Sequence, residues 1–172
     1  MKSAAYFGGK QAGCIGLLTL LSQGYEVRCV VAYGQMVSNL ASALGFLVYD
    51  TIKHPDIPAL LEGADLLLSV HCREFVPLAL LKIPRLGGLN VHPCLSKYKG
   101  ASPIQHFMDD SGKVASVGVH RMTEILDEGE ILSELYLDVN GCATAEEVYN
   151  ELYPIYAQAI IAAIQKLEKM DD

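Results

Sequence analysis

Short apolar runs alternate with helical stretches along most of this chain, and that alternation restricts the fold more than any other feature. The run Asp65–His71 (DLLLSVH) is apolar at nearly every position rather than at every second one. Strands of this kind are typical of parallel sheets that are buried on both faces. We therefore predict an α/β protein with a doubly wound, mostly parallel twisted sheet of about seven strands and helices on both faces.

The predicted elements follow one another without a repeat, a low-complexity tract or a linker, so residues 1–172 are expected to form a single domain. The first helix is expected to begin at about Cys14. Val114–Met122 and Ile131–Val139 are predicted strands close enough in sequence to form a hairpin. A long helix is predicted from about Ala145 to Glu168.

The charge balance excludes one class of function. Lys and Arg number 13 against 20 Asp and Glu, which gives a formal net charge of -7. Because nucleic-acid binding relies on cations that neutralise phosphates, we expect no nucleic-acid partner. No apolar run reaches the ~18 residues that a membrane span needs, and five cysteines without regular spacing are typical of reduced thiols. We predict a cytoplasmic protein without a membrane partner.

Glycines and a lysine follow the first predicted strand, in the segment GGKQAG. Gly8 and Gly9 would allow a ligand to approach the backbone, and Lys10 near a helix N-terminus would attract an anion. The segment matches neither GxGxxG nor GxxxxGK[ST]. An ordinary turn between a strand and a helix accounts for the glycines equally well, so both interpretations stay open.

Asn90 and His92 lie at the carboxyl end of a predicted strand, where α/β folds bind ligands. Side chains at i and i+2 of a strand point to the same face, so the amide and the imidazole are expected to project together. Such a pair can donate two hydrogen bonds to one developing oxyanion, as acyl transfer requires. The alternative is that both residues only satisfy loop backbone groups.

Asp127 lies in the short connection between the last two predicted strands. Its carboxylate could tune a histidine or relay a proton, whereas Asp and Gly are also common turn residues. His120 on the preceding strand is either a partner of this site or a core histidine. His71 and Cys72 end another strand, but no metal-ligand spacing accompanies them, so no metal site is expected.

Three segments in this order resemble the folate-dependent formyltransferase family. They are 88–95 (GLNVHPCL), 98–104 (YKGASPI) and 118–132, which contains GVHRM and LDEGEIL. The ordered set is far more specific than any single piece. The resemblance implies transfer of a formyl group from N10-formyltetrahydrofolate to an acceptor amine. It also implies that Asn90 and His92 stabilise the tetrahedral oxyanion, while Asp127 holds His92 charged and assists proton transfer.

The resemblance further implies two binding regions and no metal. Residues expected to meet the folate are Cys72, Arg73, Glu74, Phe75, Val76, Glu124, Ile125 and Leu126. Residues expected to meet the acceptor are Gly8, Gly9, Lys10, Lys97 and Tyr98. The expected partner is a small-molecule amine, and a homodimer is allowed for.

Departures from the family pattern guide the choice of acceptor. The first turn lacks the S-G-x-G-S-N arrangement that holds the phosphate of glycinamide ribonucleotide, and the acidic chain does not suit initiator tRNA. By elimination we expect a small amine, either phosphorylated or an amino sugar attached to a nucleotide. The alternatives are a catalytically idle folate- or ligand-binding module and a methionyl-tRNA formyltransferase-like protein without its C-terminal domain.

Overall fold

The computed structural model describes residues 1–171, which form seven strands and six helices. In chain order these are β1 (Ser3–Gly9), α1 (Lys10–Ser22), β2 (Glu26–Tyr33), α2 (Gln35–Ala43), β3 (Val48–Tyr49), α3 (Ile57–Glu62), β4 (Leu66–Val70), α4 (Leu78–Leu81), β5 (Gly88–Pro93), α5 (Pro103–Asp109), β6 (Val114–Arg121), β7 (Ile131–Asp138) and α6 (Ala145–Asp171).

All seven strands form one sheet in the order β3-β2-β1-β4-β5-β6-β7. The strands from β3 to β5 pair in parallel, whereas β6 and β7 are antiparallel additions at one edge. The order reverses at β1, since the chain first moves towards β3 and then returns to β4. The predicted α/β fold with a mostly parallel sheet of seven strands is confirmed, and so is the hairpin of the last two strands.

The unalternating strands are apolar because helices cover both faces of the sheet's centre. Ala4 and Tyr6 of β1 belong to one core, whereas Ala5 and Phe7 belong to the other. The first core receives buried residues from α1, α2, α5 and α6, and the second receives residues from α3 and α4. Every one of these strand residues therefore loses its contact with water, which stabilises the fold by about 25 cal/mol for each Å² of apolar surface buried.

Helix α1 begins at Lys10, four residues before the predicted start at Cys14. The first turn of α1 lies against Tyr6, whose fully buried hydroxyl donates to the Gly13 carbonyl oxygen at 2.5 Å. A Cβ atom at Gly8 would lie 2.6 Å from the Tyr6 ring, and one at Gly16 would lie 2.5 Å from its hydroxyl. These glycines make room for a buried tyrosine, which favours the structural interpretation of the glycine-rich segment.

Helix α6 packs against α1, β6 and β7 and begins with the capping box that Thr144 and Glu147 form. It continues through Pro154. None of the helices within residues 1–171 combines the length and the apolar character that a bilayer crossing demands.

The two faces of β5 differ at its carboxyl end. Leu89 and Val91 point into the core beneath α6, so Asn90 and His92 point to the opposite face. There the loops 94–102 and 122–130 lie over the sheet instead of a helix. The polar residues of β5 thus meet loop backbone and a cavity rather than apolar side chains.

Candidate active site

A row of polar side chains crosses three neighbouring strands at Asn90. Ser69 of β4 and His120 of β6 are its register partners. The Ser69 hydroxyl donates to Asn90 Oδ1 at 2.9 Å, and Asn90 Nδ2 lies 3.4 Å from His120 Nε2. Because a hydroxyl proton faces Oδ1, the amide orientation is fixed, and Nδ2 keeps a second N–H for a ligand in the adjoining cavity.

His92 is buried, and both of its ring nitrogens face acceptors. Nδ1 donates to the Pro93 carbonyl oxygen at 2.7 Å, and Nε2 donates to the Gly100 carbonyl oxygen at 2.9 Å. Nε2 also lies 3.3 Å from Asp127 Oδ2. A neutral imidazole carries one N–H, whereas two donated hydrogen bonds require both nitrogens to be protonated. The surroundings of His92 therefore select the imidazolium form.

Asp127 reaches the site through a strained turn. Its φ of 55° lies in the left-handed region, which is unusual for a residue other than glycine. Gly129 allows the turn to pass close to β6, because a Cβ atom there would lie 1.7 Å from the Arg121 carbonyl oxygen. Asp127 Oδ2 accepts the Gly100 N–H at 2.8 Å, so loop 94–102 joins His92 and Asp127 through opposite ends of one residue.

The second carboxylate oxygen of Asp127 is buried without a well-aligned hydrogen bond. It lies 3.3 Å from His120 Nε2, while His120 Nδ1 donates to the Arg121 carbonyl oxygen at 2.8 Å. Asp127 and Asn90 line the same cavity.

The pair His92 and Asp127 holds opposite charges. Burial raises the pKa of Asp127, but hydrogen bonds from the two histidines and from the Gly100 N–H outweigh it and hold this pKa well below its usual range. Burial lowers the pKa of His92, but its bonds to Asp127 and to the Gly100 carbonyl outweigh burial and raise this pKa above its usual value. Both shifts favour the ion pair.

Two cavities adjoin this pair. A slot of about 70 Å³ lies between the segment after β4 and the β6–β7 connection. A larger cavity of about 480 Å³ is lined by His92 and shares six lining residues with the slot. The residues that line both are Cys72, Glu74, Phe75, Asn90, Leu126 and Asp127.

The segment after β4 is held in shape by Glu74. Its carboxylate accepts hydrogen bonds from the Tyr33 hydroxyl at 2.6 Å, the Thr51 hydroxyl at 2.7 Å and the Ile52 N–H at 2.9 Å. Phe75 is left 58% exposed beside the slot, and Ile125 and Leu126 across from it are similarly exposed. Glu74 therefore forms a fixed polar part of the slot, and Phe75, Ile125 and Leu126 form its exposed apolar entrance.

Most residues predicted for folate contact line these cavities. Cys72, Glu74, Phe75, Val76, Ile125 and Leu126 line the slot, and Arg73 lines the larger cavity. Glu124 lines neither.

The residues predicted for acceptor contact are not brought together. Lys10 lines the larger cavity and a third cavity of about 290 Å³ beside α6, whereas Gly8 and Gly9 line none of the three. Lys97 lies over the Tyr98 ring, and the Tyr98 hydroxyl donates to Asp110 at 2.5 Å, both away from the cavities. Tyr98 is partly buried against the core beneath α6, and Lys97 is exposed.

Three contributors to the site could not be read from motifs. Ser69 fixes the Asn90 amide, the Gly100 backbone joins His92 to Asp127, and Tyr149 of α6 lines the larger cavity. Only the position of Ser69, the penultimate residue of β4, carried a signal. Within residues 1–171 no group of three or more His, Cys, Asp or Glu is arranged to hold a metal ion.

Curated relatives are similar in sequence to this chain over most of its length. The methionyl-tRNA formyltransferase of Lactobacillus delbrueckii subsp. bulgaricus is 25% identical over 184 residues, which cover 97% of this chain and 58% of that protein. The bifunctional polymyxin resistance protein ArnA of Wigglesworthia glossinidia brevipalpis is 27% identical over 162 residues, or 85% of this chain and 25% of that protein. The chain thus spans a quarter to about three-fifths of the length of these relatives.

Solved structures share the fold. The phosphoribosylglycinamide formyltransferase of Bacillus halodurans superposes with a TM-score of 0.80 at 18% identity, over 99% of this chain and 97% of that one. A sugar N-formyltransferase from a Shewanella species gives 0.77 at 19% identity, over 99% and 71%. A family model described as formyl transferase matches residues 58–164, which hold Asn90, His92 and Asp127. This chain belongs to the formyl transferase family.

Proposed function

We propose that this protein transfers a formyl group from N10-formyltetrahydrofolate to the amine of a small-molecule acceptor. One observation carries the proposal: Asn90 and His92 of β5 and Asp127 of the β6–β7 connection line one cavity, with the carboxylate held ionised beside an imidazolium. An idle binding module has no physical need for that buried charge pair, since burying charges is costly unless they are used or well paired.

Asn90 is the proposed donor to the oxyanion. When the acceptor nitrogen attacks the formyl carbon, the formyl oxygen gains negative charge and needs donors aimed at it. The second N–H of Asn90 Nδ2 suits this role, because Ser69 keeps the amide oxygen turned away. Pre-oriented donors stabilise the transition state without a reorganisation cost.

His92 supplies positive charge to the same centre. In the structure both of its N–H groups are engaged, by the carbonyls of Pro93 and Gly100. Its charge acts on the oxyanion through space, and direct donation requires Nε2–H to leave the Gly100 carbonyl. Binding of the substrates is the proposed trigger for that exchange, because a developing oxyanion is a stronger acceptor than a neutral carbonyl.

Asp127 is the proposed proton carrier. As the bond between nitrogen and the formyl carbon forms, the attacking amine must lose a proton, and N10 of the departing tetrahydrofolate must gain one. Asp127 lines both cavities, and its carboxylate can accept the first proton and return it to N10, directly or through one water. Asp127 thereby ends the reaction as it began.

The slot fits the donor better than the acceptor. Its apolar entrance, at Phe75, Ile125 and Leu126, suits a flat heterocycle, and polar backbone borders it.

The acceptor is proposed to enter from the opposite side, where Lys10 lines both remaining cavities. Its cation at that wall favours an acceptor that carries a phosphate or a nucleotide. The five cysteines are all free thiols, which fits the proposed cytoplasmic setting.

The experiment is a turnover assay with N10-formyltetrahydrofolate and a panel of amines. The panel holds phosphoribosylglycinamide, nucleotide-linked amino sugars and methionyl-tRNA. Release of tetrahydrofolate is followed by absorbance, and the formylated acceptor is identified by mass spectrometry. Tetrahydrofolate release without a formylated acceptor would indicate hydrolysis instead, and folate binding without release would indicate an idle module. Either result rejects the proposal.

A further inference from the structure

His71, the residue directly after β4, has no part in the mechanism above, yet its backbone and its side chain are both unusual. Its φ of 54° lies in the left-handed region that favours glycine. Its Nε2 lies 2.8 Å from the hydroxyl of Tyr156, which is fully buried in α6. A conformation of this kind is costly and persists only where the surroundings hold it in place.

The contact with Tyr156 determines which ring nitrogen of His71 carries the proton. Among residues 1–171 the Tyr156 hydroxyl has no other hydrogen-bond partner, so its buried proton must be donated to His71 Nε2. In the neutral ring the proton then lies on Nδ1. Burial lowers the pKa of His71 to about 4, and the neighbouring charges of Lys10 and His92 act in the same direction. The ring is therefore neutral at physiological pH.

Nδ1 is the ring nitrogen of His71 that remains available to a ligand. It has no protein partner within the described part of the chain, and it is not among the buried atoms left unpaired there. His71 lines the larger cavity together with His92, and it lines the cavity beside α6 together with Lys10, Tyr149 and Tyr153. The side chain thus presents one uncharged N–H at the junction of these spaces.

This inference rests on the proposed function. We propose that His71 is a specificity residue whose Nδ1–H donates to an uncharged oxygen of the acceptor, either a hydroxyl or a ring oxygen close to the reacting amine. Lys10 and His71 would then recognise different groups of the acceptor. Lys10 suits an anionic group of the acceptor, whereas a neutral donor pairs best with a neutral oxygen. The tyrosines of α6 supply flat walls for the ring that bears this oxygen. The acceptor class is a hydroxylated cyclic amine.

The test uses a double variant, His71→Gly with Tyr156→Phe, which removes the donor and its buried partner together and leaves no unpaired hydroxyl. The matched control is His71→Asn, because Asn tolerates a positive φ and keeps an N–H near the position of Nδ1. Each protein is assayed with the acceptor that the wild type formylates best and with its analogue lacking one hydroxyl.

We expect the double variant to raise the KM for the hydroxylated acceptor about three- to tenfold, the range for one neutral hydrogen bond. The KM for the deoxy analogue and the Kd for the folate should stay unchanged. In the His71→Asn control, the KM for the hydroxylated acceptor should stay close to that of the wild type. An equal rise for both acceptors would mean a structural role and would overturn the inference, as would nitrogen NMR showing the proton on Nε2. If the wild type formylates nothing in the panel, the proposed function fails first, and this inference falls with it.

Discussion

His71 directly follows β4, and His92 lies near the end of the neighbouring parallel strand β5. The two rings are nevertheless in different charge states, since His71 is neutral and His92 is an imidazolium. The pKa of His71 is lowered to about 4, whereas that of His92 is raised above its usual value. Burial disfavours the charged ring in both. His92 is surrounded by carbonyls and a carboxylate, while His71 meets a tyrosine hydroxyl and two cations. The partners, rather than the depth of burial, decide the charge.

This difference gives each side of the site its own chemistry. The face covered by loops holds a charge pair that can respond to a developing oxyanion. The face covered by α6 holds a neutral donor that can recognise a substrate without competing for its proton. Reversing either charge state would place two cations, or two neutral rings, beside one another.

The largest effect is expected from His92→Ala. Loss of one charged donor at an oxyanion typically lowers kcat by ~10²–10³. Because the oxyanion exists only in the transition state, the Kd for the folate should change little. Steady-state kinetics and folate titration measure the two quantities. His106→Ala is the matched control, since that exposed histidine lines none of the three cavities. Activity of His92→Ala within a few-fold of the wild type contradicts the role given to His92.

Asp127→Asn should lower kcat by about 10², because it removes a proton carrier while keeping the side-chain shape. It also removes the charge that keeps His92 protonated, so the pKa of His92 should fall. NMR of the His92 ring measures that fall, and circular dichroism checks the fold. If the variant unfolds while each folded molecule keeps normal activity, Asp127 is a turn residue only.

The sequence was informative where one strand fixes the geometry and uninformative where distant segments meet. Asn90 and His92 could be assigned to one face because their spacing within a strand determines it. The start of α1 at Lys10 was missed, because Gly13 weakens the helical pattern and the contact between Tyr6 and Gly13 is not visible in the sequence. The Tyr156 contact of His71 joins residues 85 apart in sequence, and no local pattern signals it.

The two histidines should also give opposite signs in the pH dependence of stability. His92, whose pKa is raised on folding, contributes stability below pH 6.5 that is lost as the pH rises through its folded pKa. His71, whose pKa is lowered to about 4, contributes stability above pH 6.5 that is lost as the pH falls from 6.5 towards 4. Its share is on the order of 2 kcal/mol after allowance for solvent screening.

Urea unfolding between pH 4 and 7 measures the acid loss, with the double variant His71→Gly and Tyr156→Phe as the comparison. The wild type should lose stability more steeply than the variant, because only the wild type has a neutral His71 to protonate. NMR titration of the rings assigns the effect. A His71 ring that titrates near 6.5 would remove the contrast with His92.

The smallest effect is expected from Lys10→Ala, a substitution that tests acceptor binding and leaves both histidines unchanged. Lys10 is exposed, so its attraction for an anion is worth about 1 kcal/mol or less, which is a rise in KM of a few-fold on Lys10→Ala. The rise should be larger at low salt, because salt screens exposed charges beyond a Debye length of about 10 Å at 0.1 M.

The folate KM should stay the same, since Lys10 does not line the slot. Lys97→Ala is the control, as that side chain lies over Tyr98 and away from the cavities. If an uncharged amine is used as well as its phosphorylated analogue at every salt concentration, Lys10 has no role in recognition, and acceptor selection rests on the neutral side chains of this face.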